Sequence, residues 1–250
     1  MTLLFDLYLA RIFRRIVRFL IRMYIWARSN SLMLALKYGR QEYEVIEYEN
    51  FLTHEECDML LSKVRATPMH ESTVSNDDGD RIVNTAVRKS KSCWIKDEDD
   101  AIAEIISKKV QKHVPLPIDH QEDLQVVRYD PDEYYHPHYD TPYLSSAIPY
   151  FNKYHGPRVA TCIIYLNDDY EGGETEFFLV NKVVKPKKGK AVIFFNIDSD
   201  LVLIPESIHM GRVVTRGTKW IANKWVRVWP MNLRPDTLHL HSNGWMFRTE

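Results

Sequence analysis

The pattern of apolar and polar positions changes character three times along the chain. Leu9, Ile12, Phe13, Ile16, Phe19, Leu20 and Met23 recur at three- and four-residue intervals, the period of one helix face. Arg11, Arg14, Arg15, Arg18 and Arg22 fall on the other side. From about Glu42 the texture is different. Tyr43–Tyr48 is a short β-like run, and Thr53, followed three residues later by Glu56, forms a capping box that opens a helix through about Arg65. Residues 67–84 are polar and rich in Ser, Asn, Asp and Gly, which predicts a long loop of the kind that covers binding sites. A second helix fits Glu98–Val114, with Ile102, Ile105, Ile106 and Val110 on one side and Pro115 ending it. Beyond it only strand-like runs follow: Leu124–Tyr129, Tyr134–Asp140, Val159–Asn167, Thr175–Val180, Ala191–Asn196, Gly211–Val214 and Trp220–Val228. Turn chemistry at Asp168–Gly173 and Lys187–Gly189 separates several of them. Two helices followed by seven or more short strands predict an α+β chain, mainly β, whose sandwich or barrel is buttressed by N-terminal helices. The expected organisation is a basic amphipathic helix in residues 1–40, a folded domain in 41–231 and an irregular tail in 232–250.

Charge sharpens the first boundary. The formal net charge of −1 is a cancellation. Residues 1–40 hold eight Lys/Arg against Asp6 alone, a balance of +7, leaving 25 basic and 33 acidic side chains in the remaining 210 residues, a balance of −8. An acidic body lacks the basic footprint of a nucleic-acid binder, so no nucleic-acid partner is expected. Arginine interrupts the first apolar run every three or four residues, whereas a spanning helix needs roughly 20 consecutive apolar residues. Three readings of this segment remain. It lies in a membrane interface through residues 8–26, with Tyr24 and Trp26 near its end; it packs on the domain with its arginines in water; or it is a mitochondrial presequence. Three scattered cysteines, Cys57, Cys93 and Cys162, are too few for a disulfide framework or a Cys-built zinc site.

The candidate chemistry lies in the β region. In an extended strand residues i and i+2 share a face, so His138 and Asp140 can meet one metal ion. A third ligand must come from elsewhere. His209 closes one β run ahead of another, which predicts a place in a neighbouring strand. Two histidines and one carboxylate on one face form the facial triad of non-haem Fe(II) oxygenases, with positions left open for other ligands. Lys219, ten residues on and flanked by Trp220, Ile221 and Trp225, would be costly to bury alone. It makes sense as the cation that receives the far end of a dicarboxylate. Arg216 competes for that role, but its turn position should point it outward.

Around these positions the chain resembles the prolyl 4-hydroxylase branch of the 2-oxoglutarate- and Fe(II)-dependent dioxygenases. The similar stretches are Leu124–Tyr129, Tyr135–Asp140, Arg158–Asn167, Gly172–Phe177, Val184–Gly189 and His209–Trp225. They follow the family's order and span roughly residues 43–229. Val214–Asn223 is especially similar to the transmembrane prolyl 4-hydroxylase of the endoplasmic reticulum. The resemblance implies a double-stranded β-helix, or jelly roll, with His138, Asp140 and His209 as Fe(II) ligands and Lys219 pairing with the C5 carboxylate of 2-oxoglutarate. It further implies that Tyr129 and Thr161 hydrogen-bond the cosubstrate, that Trp225 lies beside the iron, and that Arg88 is near the substrate. The expected activity is hydroxylation of proline in a polypeptide with O2, releasing succinate and CO2, with L-ascorbate keeping the iron reduced. Endoplasmic reticulum or endomembrane association follows from the same likeness, with mitochondrial or cytoplasmic placement as the alternatives.

The chain also departs from the family. Arg227 stands where collagen-type enzymes usually carry histidine, and is expected to face substrate; Thr141 replaces an aromatic that often follows the His-x-Asp motif. The loops 67–84 and 141–157 are expected to lie over an extended peptide. Three readings of function stay open: a peptidyl-prolyl 4-hydroxylase, a dioxygenase of the same chemistry on another substrate, and a catalytically silent binding module on the same fold. Retention of all four of His138, Asp140, His209 and Lys219 weighs against the last.

Overall fold

A computed structural model describes residues 43–75, 80–141, 156–198, 201–232, 238–241 and 244–247. The basic segment 1–40 and most of the expected lid 141–157 lie outside the described residues.

Twelve strands build two antiparallel sheets: β1 (Ile46–Tyr48), β2 (His70–Glu71), β3 (Arg88–Lys89), β4 (Lys91–Ile95), β5 (Leu124–Tyr129), β6 (Tyr134–His138), β7 (Arg158–Tyr165), β8 (Thr175–Phe177), β9 (Lys182–Val184), β10 (Ala191–Phe195), β11 (His209–Gly211) and β12 (Lys219–Arg227). The major sheet runs β1-β10-β7-β12-β5-β4-β2 and the minor sheet β9-β8-β11-β6-β3. Apart from β4-β5 and β8-β9, neighbours in both sheets are non-consecutive, the mark of a jelly roll, as expected.

Strict two-residue alternation assigns the two faces of the major sheet. Leu124, Val126, Ala160, Cys162, Ile164, Ile193, Ala222 and Val226 join the outer core, beneath the helices. Val127, Tyr129, Ile163, Tyr165, Val192, Phe194 and Ile221 turn inward, against Phe177 and Val184 of the minor sheet. The same parity that places these apolar residues inside also carries Thr161, Lys219 and Trp225 inward. Each fully buried aliphatic side chain contributes about 1.5–3 kcal/mol, so this alternation fixes register strongly: a one-residue slip would exchange the two faces.

Helices α1 (His54–Arg65) and α2 (Ala101–His113) cover the outer face through Leu60, Leu61, Val64, Ile102, Ile106 and Val110. The predicted capping box is present: Thr53 Oγ1 accepts from the Glu56 amide at 3.1 Å and the Glu56 carboxylate accepts from the Thr53 amide at 2.8 Å. Helix α2 starts three residues later than the sequence suggests. The Asp100 carboxylate caps the amides of Ile102 and Ala103, and Asp97–Asp99 form a 3-10 turn ahead of it.

Two expectations are corrected. The polar segment 67–84 is not simply a loop, because it contains β2 and a ribbon pairing Val74–Ser75 with Arg81–Ile82; pairing with β4 and within the ribbon supplies partners for its backbone polar groups. The tail from Asn232 is not irregular throughout, since Leu238–His241 pairs antiparallel with Gly244–Phe247. The tail's prolines, Pro230 and Pro235, lie ahead of it.

Candidate active site

Adjacent strands of the minor sheet bring the two histidines together, since His138 ends β6 and stands directly opposite His209, the first residue of β11. The strand stops at His138, earlier than predicted, and Asp140 lies just beyond it. There the chain is drawn toward the major sheet. Asp140 Oδ2 accepts from Thr161 Oγ1 at 2.7 Å and from Trp225 Nε1 at 3.1 Å. Asp140 Oδ1 is 3.7 Å from His138 Nε2, and Oδ2 is 3.9 Å from His209 Nε2. One ligand atom from each residue lies within 4.8 Å of the others.

The donor atoms suit a metal. His138 Nδ1 donates to the His136 carbonyl at 2.8 Å, and His209 Nδ1 to the Ser207 carbonyl at 2.9 Å. Each bond fixes the tautomer that leaves Nε2 with its lone pair facing the cluster. Burial pushes the His138 imidazole well below its usual pKa, with His209 adding to the effect. For Asp140, burial alone would raise the carboxyl; its electrostatic interactions with the His209, His138 and Arg158 side chains and the Thr161 hydrogen bond outweigh it and hold the group far below the usual range. A neutral imidazole and an ionised carboxylate are the states a cation requires. Tyr135 stacks on His138 with ring centroids 3.4 Å apart, and Phe177 and Phe194 wall off His209.

Lys219 opens β12 on the inward face, 2 % exposed. Its Nζ donates to the Gly173 carbonyl at 2.6 Å and lies 5.0 Å from the Tyr129 ring and 6.0 Å from the Tyr165 ring. Among the described residues no carboxylate is within ion-pair distance of it. Burial lowers its pKa to about 7. A cation stranded in an apolar interior, beside a cluster of metal-ligating atoms, fits a carboxylate-bearing ligand. Gly173 makes room for it, and both Gly172 and Gly173 have a left-handed backbone, with φ of +72° and +67°. A Cβ on Gly172 would stand 2.3 Å from the Val213 carbonyl, and one on Gly173 would stand 3.0 Å from Lys219 Cδ. Arg216 points outward, as expected, and pairs with Glu171 at 2.5 Å.

The remaining expected site residues divide. Tyr129 is cross-strand neighbour to Lys219, and Trp225 lies against Asp140. Thr161 is inside, but its hydroxyl is committed to Asp140. Arg88 is buried on β3, its guanidinium 4.7 Å above the Tyr135 ring, with Nε bonded to Ser90 at 3.0 Å. Its Nη2 is buried without a hydrogen-bond partner among the described residues. Arg227, expected to face substrate, is instead buried against Glu122, its Nε 2.8 Å from Oε1. The register shifts between Val226 and Arg227, and the carboxylate captures the guanidinium there. Glu122 also binds Arg158 at 2.6 and 2.9 Å, and Arg158 lies 3.6 Å over the Trp225 ring. Burial would raise the Glu122 carboxyl; Arg158 and Arg227 override it and bring its pKa to about 2.

Thr175 and Asn196 were given no role by the sequence reading. Thr175 of Gly-Gly-x-Thr accepts a buried bond from Tyr165 at 2.7 Å, and the motif's spacing was the available signal. Asn196, which donates to Thr161 at 2.9 Å, carried no motif at all.

A jelly roll holding two histidines and a carboxylate, with a buried inward-facing lysine that has no carboxylate within ion-pair distance among the described residues, defines the class of 2-oxoglutarate- and Fe(II)-dependent oxygenases. The family described as the 2OG-Fe(II) oxygenase superfamily matches residues 124–227. "Probable prolyl 4-hydroxylase 3" of Arabidopsis thaliana is 35% identical over 219 residues, covering 77% of this chain and 74% of that protein. A viral collagen prolyl hydroxylase from Paramecium Bursaria Chlorella virus-1, solved with 2OG, superposes with a TM-score of 0.61 at 28% identity, covering 75% of this chain and 97% of that one. The fold also matches a Trichoplax adhaerens prolyl hydroxylase solved with a peptide fragment, at TM-score 0.59 and 14% identity, over 83% of this chain and 93% of that one. The chain belongs to the prolyl 4-hydroxylase family of these oxygenases. Among the described residues no helix is long and apolar enough to cross a membrane.

Proposed function

We propose that the protein hydroxylates proline in a polypeptide, using Fe(II), 2-oxoglutarate and O2 and releasing succinate and CO2. The observation that carries this reading is Lys219, buried in the same interior as the His138–Asp140–His209 cluster with no carboxylate within ion-pair distance among the described residues. His138, Asp140 and His209 would hold Fe(II), which supplies the oxygen-activating redox chemistry. Lys219 binds the distal carboxylate of the cosubstrate, with Tyr129 beside it. The apolar walls formed by Phe177, Phe194 and Val192 exclude water, which strengthens each charge interaction inside. Trp225 and Thr161 hold Asp140 in position. Arg88 offers its unpartnered Nη2 to a substrate carbonyl, and L-ascorbate restores iron oxidised in unproductive turnover.

The test is succinate release by the purified full-length chain with Fe(II), 2-oxoglutarate and ascorbate, with and without proline-rich peptides. A peptide mass gain of one oxygen located on proline supports the reading; release indifferent to proline peptides refutes it. We further propose that the basic segment rests on an endomembrane surface through residues 8–26. Its arginine and apolar stripes and the local resemblance of Val214–Asn223 to the transmembrane enzyme support this. Soluble behaviour of a tagged full-length chain after cell fractionation would refute it.

A further inference from the structure

Asn196 follows β10, is completely buried, and is rigidly mounted. Its amide N–H donates to the Val159 carbonyl at 2.8 Å, and its carbonyl accepts from Ile204 at 2.9 Å. The side chain reaches inward to Thr161 Oγ1 at 2.9 Å, and Thr161 Oγ1 in turn lies 2.7 Å from Asp140 Oδ2.

The direction of this chain of bonds follows from chemistry alone. An ionised Asp140 can only accept, so the single hydroxyl hydrogen of Thr161 must point toward it. Thr161 then has only lone pairs left for its other neighbour, which must be a donor. That requirement turns the Asn196 amide so that Nδ2 faces Thr161, and it strands Oδ1, which is buried with no hydrogen-bond partner among the described residues. Packing alone would be better served by leucine, which has no polar atom to strand. With Oδ2 of Asp140 taken by both Thr161 and Trp225, Oδ1 is the oxygen left facing His138.

We infer that Asn196 is a positioning residue for the metal ligand Asp140, acting through the Thr161 hydroxyl. The inference rests on the reading of Asp140 as a ligand. By donating to Thr161 Oγ1, Asn196 keeps the hydroxyl hydrogen on Asp140 Oδ2 and so leaves Oδ1 for the metal. Partners in this position commonly govern metal affinity by about 10–100-fold.

Asn196→Asp is the sharpest perturbation. It is nearly isosteric, yet it replaces the donor with a second acceptor that competes for the Thr161 hydrogen. The experiment strips the full-length chain with EDTA and titrates it with Mn(II), following free Mn(II) by its EPR signal; unfolding of each metal-free variant is measured alongside. Asn196→Ala and Thr161→Val should each weaken Mn(II) binding about 10-fold, and Asn196→Asp by more. The double variant Thr161→Val/Asn196→Ala should bind no worse than Thr161→Val alone, because the relay is already cut. Thr161→Ser, which keeps the hydroxyl, should bind as the wild type does. Wild-type affinity in Asn196→Asp, or fully additive losses in the double variant, overturns the relay while leaving the ligand assignment standing. Failure of the wild-type chain to bind Mn(II) overturns the ligand assignment, and the relay with it.

Discussion

Binding of 2-oxoglutarate should draw a proton onto the protein, and the quantity can be worked from Lys219. Its pKa falls from 10.5 to about 7 because the ammonium is buried, with only the more distant Glu174 favouring the charged form. The shift corresponds to roughly 5 kcal/mol against the charged state. At pH 8 the free protein therefore holds Lys219 about nine-tenths neutral. A carboxylate brought beside it favours the ammonium, so binding should take up about 0.9 proton at pH 8 and about 0.1 at pH 6. Affinity should fall about tenfold per pH unit above pH 7, flattening once the bound-state pKa is passed. Isothermal titration of the Mn(II)-loaded protein with 2-oxoglutarate, in two buffers of different ionisation enthalpy, measures the uptake directly. Lys219→Met should abolish both binding and uptake. Between pH 7 and 10.5 the unfolded chain holds the lysine proton and the folded chain does not, so the penalty is fully present below pH 7 and disappears as pH rises through this window. Lys219→Met should accordingly stabilise the ligand-free protein at pH 6, by up to roughly 5 kcal/mol. Zero uptake at pH 8 together with a flat affinity profile from pH 6 to 9 would refute the assignment of Lys219 as the anion's partner.

Other outcomes are open to simpler assays. Asp140→Ala should lower succinate release more than about 100-fold while leaving the circular dichroism spectrum unchanged, since the side chain serves the cluster more than the core. Gly172→Ala should lower stability by at least about 1–2 kcal/mol in urea titration, because a left-handed backbone and the Val213 carbonyl both oppose a Cβ. Glu122→Gln should cost about 3–5 kcal/mol by removing the carboxylate that the buried Arg227 and the half-buried Arg158 guanidinium groups both face. In the wild type, the stability that Glu122 contributes is complete above its unfolded pKa of 4.5 and is lost as pH falls toward 2; the acid limb of a denaturation profile should flatten in Glu122→Gln.

Legibility followed the range of the interactions. The strand-like runs Leu124–Tyr129 and Trp220–Val228 were visible because β character depends on neighbours in the chain, whereas the placing of Lys219 at the start of the second strand, opposite Tyr129, depends on pairing. The Thr53 capping box was visible because it is equally local. The short strands Arg88–Lys89 and Lys182–Val184 were not, since two or three residues leave no period and exist only by pairing with a neighbour. His-x-Asp spacing found two ligands, although Asp140 reaches the cluster after its strand has ended, pulled by Thr161 and Trp225 from another sheet. Arg227 shows the opposite failure. Its parity is inward, but a register shift and the carboxylate of Glu122, 105 residues away in sequence, decide where its charge goes. Asn196 had no signal, because its meaning lies wholly in the hydroxyl it faces.

The two histidines belong to the minor sheet and Lys219 to the major one, so the groups expected to hold the two ends of the cosubstrate are anchored on opposite walls of the molecule. A dicarboxylate gripped at both ends would act as a cross-beam between them. The cosubstrate is then also a mechanical part of the fold, and amide hydrogen exchange in the short strands β8 and β11 should slow when 2-oxoglutarate binds the metal-loaded protein. Succinate, one carbon shorter, cannot span the same gap in the same way. Turnover would therefore loosen the walls at the moment the product has to leave.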